Sequence, residues 1–231
     1  ELLYAAGAGD QLVGVAAYSD YPAEAQRLPQ VAGNVGPDYE RILSLQPDWV
    51  VVWPSGNGWQ VSKRLRQLGF QVAASDPRTL KAIADDIERL GVLAGTVATA
   101  RRTANRLREQ WRRLRDNYQN KRPVRVFYQI WDRPLMTVNG EHILSQAIDL
   151  CGGINTFANL NMLTPQVSQE SVLLRQPELV LLPVHPGQAE QWRQDWERLG
   201  FDPRQVAILN PDLLQRPTPR MLQGVTQLCG A

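Results

Sequence analysis

Three aromatic side chains stand where a predicted strand ends, and rings at such positions can stack on a large, flat ligand. Tyr18 and Trp53 each close a predicted strand in the first half of the chain, and Trp131 follows a strand in the second half. Burial of one aromatic ring contributes about 1.5 to 3 kcal/mol. The alternative for each ring is packing in the core, and we assign Trp49, on the opposite pleat of its strand, to the core.

Three polar side chains in the second half are candidates for orienting such a ligand. Arg133, Asp212 and Arg216 lie in predicted loops or at a helix start, where they could contact amides or carboxylates. The alternative is a surface ion pair, which contributes about 0 to 1 kcal/mol and has no functional role.

The sequence contains no recognisable motif for catalysis or metal binding. Gly-x-Ser-x-Gly, His-Glu-x-x-His, a phosphate-binding loop and a calcium loop are all absent. Two cysteines and two histidines are too few for a usual zinc site, and Gly7-Ala8-Gly9 lacks the third glycine of a dinucleotide site. The sequence therefore offers no apparatus for hydrolysis, and we expect no catalytic residue, no metal ligand and no cofactor of the protein's own.

Composition and charge further narrow the class of protein to which this chain could belong. The 231 residues are 43% apolar, and 25 Lys and Arg nearly balance 23 Asp and Glu, which is typical of a globular protein. The apolar runs are much shorter than the ~18 residues of a membrane span. Seven arginines occur in one predicted helix, but the apolar stripe beside them and the balanced total charge favour a solvated face over a nucleic-acid surface.

Strands and helices alternate through both halves of the chain. Predicted strands include residues 12–18 and residues 49–53, the second a continuous apolar run that is typical of burial on both faces. Residues 96–119 contain no Gly or Pro and repeat apolar residues every three or four positions, which predicts one amphipathic helix about 35 Å long. We expect an α/β fold with lobes at 1–95 and 120–231 joined by this helix.

An internal repeat supports two related lobes. Residues 39–52 align without a gap on residues 169–182, and Glu, Leu, Gln, Pro and Val coincide at an offset of 130. Convergence at helix-Pro-strand junctions is the alternative, but the ungapped match favours duplication. The natural ligand site of two such lobes is the cleft between them, at the carboxyl ends of the strands.

Two acidic residues occupy equivalent positions in the repeat. Glu40 and Glu170 each lie near the start of a short predicted helix. The helix dipole favours a carboxylate there, and this alone could explain both residues. The functional alternative is a matched acidic pair that docks onto two basic sites of a pseudo-symmetric partner.

The only two cysteines, Cys151 and Cys229, lie near the ends of helical segments in the second half. A disulfide between them would imply an oxidising compartment. Two unrelated buried thiols are the alternative, because a bridge requires Cα atoms within about 7 Å of each other.

Several short segments occur together as they do in one known family. They are Glu1–Gly7, Val13–Val15, Tyr18–Pro22, Glu40–Ile42, Phe127–Gln129, Cys151–Gly153, Pro165–Ser168 and Pro219–Arg220. With them the sequence resembles the metal-chelate and cobalamin class of ABC-transporter substrate-binding proteins over nearly its whole length. This resemblance implies two Rossmann-like lobes joined by one long helix, a ligand cleft between them, and no catalysis.

The resemblance also implies a ligand and residue roles. The ligand would be cobalamin or a related corrinoid, which carries its own cobalt, with a ferric siderophore or haem as the alternative. The side chains expected at the ligand by position are Tyr18, Trp53, Met136, Asp212 and Arg216. Glu40 and Glu170 would contact arginines of an ABC permease that works with ATPase subunits, and Cys151 and Cys229 would form the family's disulfide.

Two positions depart from the cobalamin-binding pattern, since Asn34 and Thr164 stand where those proteins have tryptophans. We expect a periplasmic monomer, with the export signal and the first strand of the family fold outside this sequence. An α/β enzyme acting on a metal chelate is the distant alternative, and it would need a cofactor site that the sequence does not reveal.

Overall fold

The computed structural model describes residues 1–231, which form two compact units. Unit 1 comprises Glu1–Pro77 and Ala84–Asn105, and unit 2 comprises Arg78–Ile83 and Arg106–Ala231. In both units parallel strands alternate with helices, which confirms the predicted α/β class. The lobe limits expected from the sequence stay a prediction. No helix combines the length and the apolar character that crossing a membrane would require.

Unit 1 begins with short helices and two small sheets. Its elements, in chain order, are α1 (Leu2–Ala5), β1 (Val15–Ala16), β2 (Gln30–Gly33), β3 (Gly36–Pro37), α2 (Tyr39–Leu45), β4 (Trp49–Val52), α3 (Pro54–Asn57), α4 (Trp59–Gln67) and β5 (Gln71–Ala74). β1 runs parallel to β2, β3 is antiparallel to β2, and β4 runs parallel to β5.

The strand predicted at residues 12–18 is reduced to the two residues of β1. The backbone N–H of Leu12 donates to Gly9 and that of Ser19 donates to Ala16, so both ends of the predicted strand are held in turns. Hydrogen bonds within turns have replaced the ladder that a longer strand would need.

The prediction that β4 is buried on both faces is wrong. Only Val52 is buried, and Trp49, which we assigned to the core, is 41% exposed. The physical reason is that Trp49 is the first residue of β4, and β4 belongs to a sheet of only two strands, which leaves fewer neighbouring side chains to cover it than a wide parallel sheet provides.

Helices α5 (Leu80–Leu93) and α6 (Val97–Tyr118) contribute residues to both units. α6 is the predicted amphipathic helix, and its limits lie within two residues of those expected from the sequence. Its buried residues recur at spacings of four, three and four, and they are Ala100, Ala104, Leu107 and Trp111. Gly91 lets the two helices approach closely, because a Cβ there would lie 2.2 Å from the Cβ of Ala100.

The remaining elements build unit 2. They are β6 (Val124–Tyr128), α7 (Ile143–Leu150), β7 (Gly153–Asn155), α8 (Gln169–Arg175), β8 (Leu179–Pro183), α9 (Pro186–Arg198), β9 (Val206–Leu209), α10 (Pro211–Leu214) and α11 (Met221–Gly230). The four strands form one parallel sheet in the order β7-β6-β8-β9. Their carboxyl ends share one edge, so the segments after β6, β8 and β9 begin along the same edge.

An aromatic cluster forms the core on one face of this sheet. The ring centroid of Phe127 lies 5.6 Å from that of Phe157 and 5.2 Å from that of Trp196. The buried indole N–H of Trp196 donates to the side-chain oxygen of Gln129 at 2.7 Å, so its polar atom is satisfied.

The two segments of the sequence repeat have the same local structure. The side chain of Asp38 caps α2 and that of Ser168 caps α8, and each accepts from the backbone N–H three residues later. Both helices end on a glutamine in the left-handed region, Gln46 at φ 45° and Gln176 at φ 47°. Each glutamine is followed by a proline and then by a parallel strand, β4 or β8.

Candidate functional site

The ring of Tyr18 projects from unit 1 just after β1, and the side chain is 67% exposed. Its hydroxyl donates to the Oδ1 of Asn34 at 2.5 Å. Asn34 lies in the turn between β2 and β3, and β1 and β2 are neighbours, which brings the two residues together. The phenol is therefore held at its polar end while its ring remains accessible.

Trp53 follows β4 directly and is 51% exposed. Its indole N–H donates to the Oδ1 of Asp76 at 3.0 Å, and Asp76 lies two residues beyond β5. The benzo ring lies against Gly56, where a Cβ would come within 2.0 Å of it. Trp53 is thus fixed at one edge and against one backbone segment, although half of its surface is open.

In unit 2 the segment after β6 folds back on itself and brings three of the predicted ligand residues together. Trp131 and Met136 form an antiparallel bridge, and Met136 also bridges to Gln166. The indole N–H of Trp131 donates to the backbone oxygen of Arg133 at 3.0 Å. The guanidinium of Arg133 forms an ion pair with the neighbouring Asp132 at 2.8 Å.

Asp212 and Arg216 form a second group in unit 2. Asp212 lies in the first turn of α10, where its backbone N–H donates to the side chain of Asn210. A nitrogen of Arg216 lies 3.3 Å from a carboxyl oxygen of Asp212, and both side chains are partly exposed. The pair therefore offers a carboxylate that accepts hydrogen bonds next to a guanidinium that donates them.

Sequence reasoning missed two of the residues that hold these rings. Asp76 was not singled out, although it follows a predicted strand whose carboxyl end neighbours that of β4. Asn34 was noted only as a departure from the family pattern, and its contact with Tyr18 follows from the pairing of β1 with β2. Strand pairing was the missing information in both cases.

The two acidic residues of the repeat are exposed. Glu40 lies in the first turn of α2 and Glu170 in the first turn of α8, and neither carboxylate forms an ion pair. The backbone N–H of Glu170 itself, and secondarily the hydroxyl of Ser168, lower the pKa of the Glu170 carboxyl. Glu170 is therefore ionised at neutral pH and accessible to a cationic partner.

The structure contains the disulfide between Cys151 and Cys229. Their Cα atoms lie 4.9 Å apart, and the bridge joins positions 78 residues apart in sequence. It ties the end of α7 to α11, the last helix of unit 2.

A cavity of about 460 Å³ lies elsewhere in unit 2, near the amino ends of the strands. Val124, Gly153 and Leu179 line it together with the disulfide, but none of the predicted ligand-binding residues does. This cavity is therefore distinct from the predicted ligand site. No group of three or more His, Cys, Asp or Glu side chains is arranged to hold a metal ion.

Known proteins match this chain over most of its length or nearly all of it. The family model described as periplasmic binding protein matches residues 1–196. A vitamin B12-binding protein of Vibrio cholerae serotype O1 is 40% identical over 232 residues, which covers 99% of this chain and 84% of that protein. The vitamin B12-binding protein of Yersinia pestis is 38% identical over 229 residues, with 99% and 81% covered.

Solved structures show the same relationship. The crystal structure of the periplasmic vitamin B12 binding protein BtuF of Vibrio cholerae matches with a TM-score of 0.88 at 38% identity, covering 100% of this chain and 91% of that one. The periplasmic haem binding protein HutB of Vibrio cholerae matches with a TM-score of 0.84 at 20% identity, covering 99% and 93%. The second match shows likeness of fold alone.

Proposed function

This chain belongs to the periplasmic binding protein family, and we propose that it captures cobalamin or a related corrinoid in the periplasm for an ABC importer. The observation that carries the proposal is the 40% identity, over 99% of the chain, to a vitamin B12-binding protein. The chain is a binding protein and not an enzyme. Cobalamin would be cargo that brings its own chelated cobalt, so no metal ligand from the protein is needed.

The exposed rings support this ligand class. Tyr18 and Trp53 in unit 1 and Trp131 in unit 2 all keep more than half of their surface open, so their rings are accessible to a ligand. A corrin ring is large and flat, and its faces suit contact with aromatic rings.

Polar groups in unit 2 suit the periphery of a corrin, which carries amide side chains. We assign the carboxylate of Asp212 to accept from an amide NH₂ and the guanidinium of Arg216 to donate to an amide oxygen. Arg133 and Met136, on the segment that holds Trp131, complete the predicted set in this unit.

Titration calorimetry with cyanocobalamin tests the ligand and the rings together. We expect one-to-one binding that Tyr18→Ala, Trp53→Ala or Trp131→Ala each weakens by about ten- to a hundredfold, the usual loss when an aromatic anchor is truncated. Trp59→Ala is the matched control, because Trp59 is 68% exposed on α4 and belongs to no predicted site.

Haemin and a ferric siderophore serve as comparison ligands. Binding of either one in place of cyanocobalamin would refute the corrinoid and leave the family assignment intact. Equal losses for Trp59→Ala and Trp53→Ala would refute the predicted site, because the effect would then be unspecific.

We propose further that the protein, as a monomer, docks onto the inner-membrane permease through Glu40 and Glu170. Both carboxylates are exposed and free of ion pairs, and they occupy equivalent positions on helices that are capped in the same manner, α2 by Asp38 and α8 by Ser168. A permease built from two related halves, with ATPase subunits below it, could present one cationic site to each.

Uptake of cobalamin by proteoliposomes that contain the importer tests the docking pair. Glu40→Ala with Glu170→Ala should lower uptake by at least tenfold while the affinity for cyanocobalamin remains unchanged. Glu24→Ala with Glu141→Ala is the control, because both side chains are exposed acids outside the repeat. Unchanged uptake by the first double variant would refute the docking role.

A further inference from the structure

The pairing of β4 with β5 brings Trp53 next to Asp76. These two parallel strands are in register, with Val52 opposite Ala74. Trp53 is the first residue after β4, and Asp76 is the second residue after β5. Parallel neighbours end at the same edge of a sheet, so two residues 23 positions apart in sequence meet there.

The contacts at this edge restrain the indole of Trp53 in three ways. Its N–H donates to the Oδ1 of Asp76 at 3.0 Å, and the hydroxyl of Ser55 donates to the same oxygen at 2.5 Å. The benzo ring lies on the backbone at Gly56, where any side chain would collide with it. The backbone N–H of Trp53 donates to the side chain of Asn57 at 3.0 Å, which fixes the turn that carries the ring.

We propose that Asp76 is a positioning residue that holds the indole of Trp53 in place before the ligand arrives. This inference rests on the proposed function, since it adds to the ligand site a residue that need not touch the ligand. Rings whose rotamer is already fixed lose less conformational entropy when a ligand covers them. The carboxyl group is well suited to this task, because it can accept from the indole and from Ser55 together.

The same bond defines how Trp53 meets its ligand. The indole N–H is already used inside the protein, so the ligand meets the open face of the ring and not its polar edge. The hydroxyl of Tyr18 and the indole N–H of Trp131 are engaged in the same way, by Asn34 and by the backbone of Arg133. Recognition at these three positions therefore depends on ring faces, which suit a broad, flat ligand.

The first test needs no ligand and observes the indole N–H of Trp53 by NMR. The resonance is assigned from its loss in Trp53→Phe, since the chain has seven tryptophans. Asp76→Ala should move this resonance upfield and speed its exchange with solvent, whereas Asp76→Asn, which keeps an acceptor, should preserve it. Ser55→Ala is the matched control, because it removes the other donor and leaves the indole bond in place.

The second test measures the affinity for cyanocobalamin in the same variants. Asp76→Ala should weaken binding by about two- to tenfold, the cost of ordering one side chain on binding. Asp76→Asn and Ser55→Ala should remain within about twofold of the wild type. Circular dichroism and the denaturation midpoint establish that each variant is folded.

Three results would overturn the proposal. They are an unchanged indole resonance in Asp76→Ala, an unchanged affinity in that variant, and an Asp76→Asn variant that binds as weakly as Asp76→Ala while its indole bond persists. A wild-type protein without affinity for cyanocobalamin would instead refute the proposed function, and the indole resonance alone would then decide the role of Asp76.

Discussion

The half-buried His142 should make unit 2 less stable in mild acid. His142 is the residue before α7, and its Nδ1 accepts a hydrogen bond from the backbone N–H of Leu144 at 3.1 Å. Burial lowers the pKa of His142 to about 4. Protonation would place a charge in poorly solvated surroundings and replace the acceptor that caps the helix.

The sign of the effect follows from the direction of the shift. In the unfolded chain a histidine has a pKa of about 6.5, so between pH 6.5 and 4 the unfolded state binds more protons than the folded state. The contribution of His142 is therefore fully present above pH 6.5 and is lost as the pH falls towards 4. A pKa shift of this size corresponds to a contribution of at most about 3 kcal/mol to the free energy of unfolding. Because the side chain is partly exposed, we expect a contribution of about 2 kcal/mol.

Guanidinium unfolding at several pH values, with His142→Asn as the perturbation, measures this contribution. Asparagine is a good helix cap and does not titrate, so the variant should gain about 2 kcal/mol over the wild type as the pH falls from 6.5 to 4. His185→Asn is the control, because this exposed histidine precedes α9 without a side-chain cap bond. The difference between His142→Asn and the wild type cancels the carboxylates that both contain.

An NMR titration of the imidazole protons gives an independent check. The resonance of His142 is the one that disappears in His142→Asn, and it should titrate near pH 4. A midpoint above about 5.5, or a stability difference that does not change with pH, would refute the link between burial and titration.

Three further predictions concern stability. Gln46→Gly and Gln176→Gly should each raise the free energy of unfolding by about 0.5 to 1 kcal/mol, since glycine relieves the left-handed backbone; a lower denaturation midpoint for either would contradict this. Cys151→Ser with Cys229→Ser should cost about 4 kcal/mol, because the bridge spans 78 residues; a loss below about 1 kcal/mol in guanidinium unfolding would count against it. Phe127→Ala should lower the free energy of unfolding by about 3 to 5 kcal/mol and weaken the near-UV circular dichroism, because the ring is fully buried. A loss below about 2 kcal/mol in guanidinium unfolding would contradict this.

Local patterns in the sequence were sufficient to predict an element whose limits are set by its own residues. The limits of α6 follow from a periodic apolar stripe, and the repeat predicted a short helix at equivalent positions of its two segments, α2 and α8. Both features depend on residues close together in the chain, so periodicity and capping chemistry are enough.

Features that depend on strand pairing were predicted less well. Trp49 was assigned to the core because of its position within a predicted apolar strand. Its burial would also require neighbouring elements that cover it, and β4 has only one strand neighbour, β5. For the same reason the exposed rings of Tyr18 and Trp53 could be predicted from strand ends, whereas their partners Asn34 and Asp76 could not. No local pattern in a sequence encodes which two strands lie side by side.

The path of the chain through the two units affects how the protein can be divided and made. The chain passes from unit 1 to unit 2 at residue 78, returns at residue 84 and leaves again at residue 106. A single cut after residue 77 would therefore separate the first segment of unit 1 from its second segment, which contains buried side chains such as Ile87 and Leu90 of α5. Neither unit is one uninterrupted segment of the chain, because residues 78–83 interrupt unit 1 and residues 84–105 interrupt unit 2. A ribosome must therefore pass residue 105 before unit 1 has all its parts.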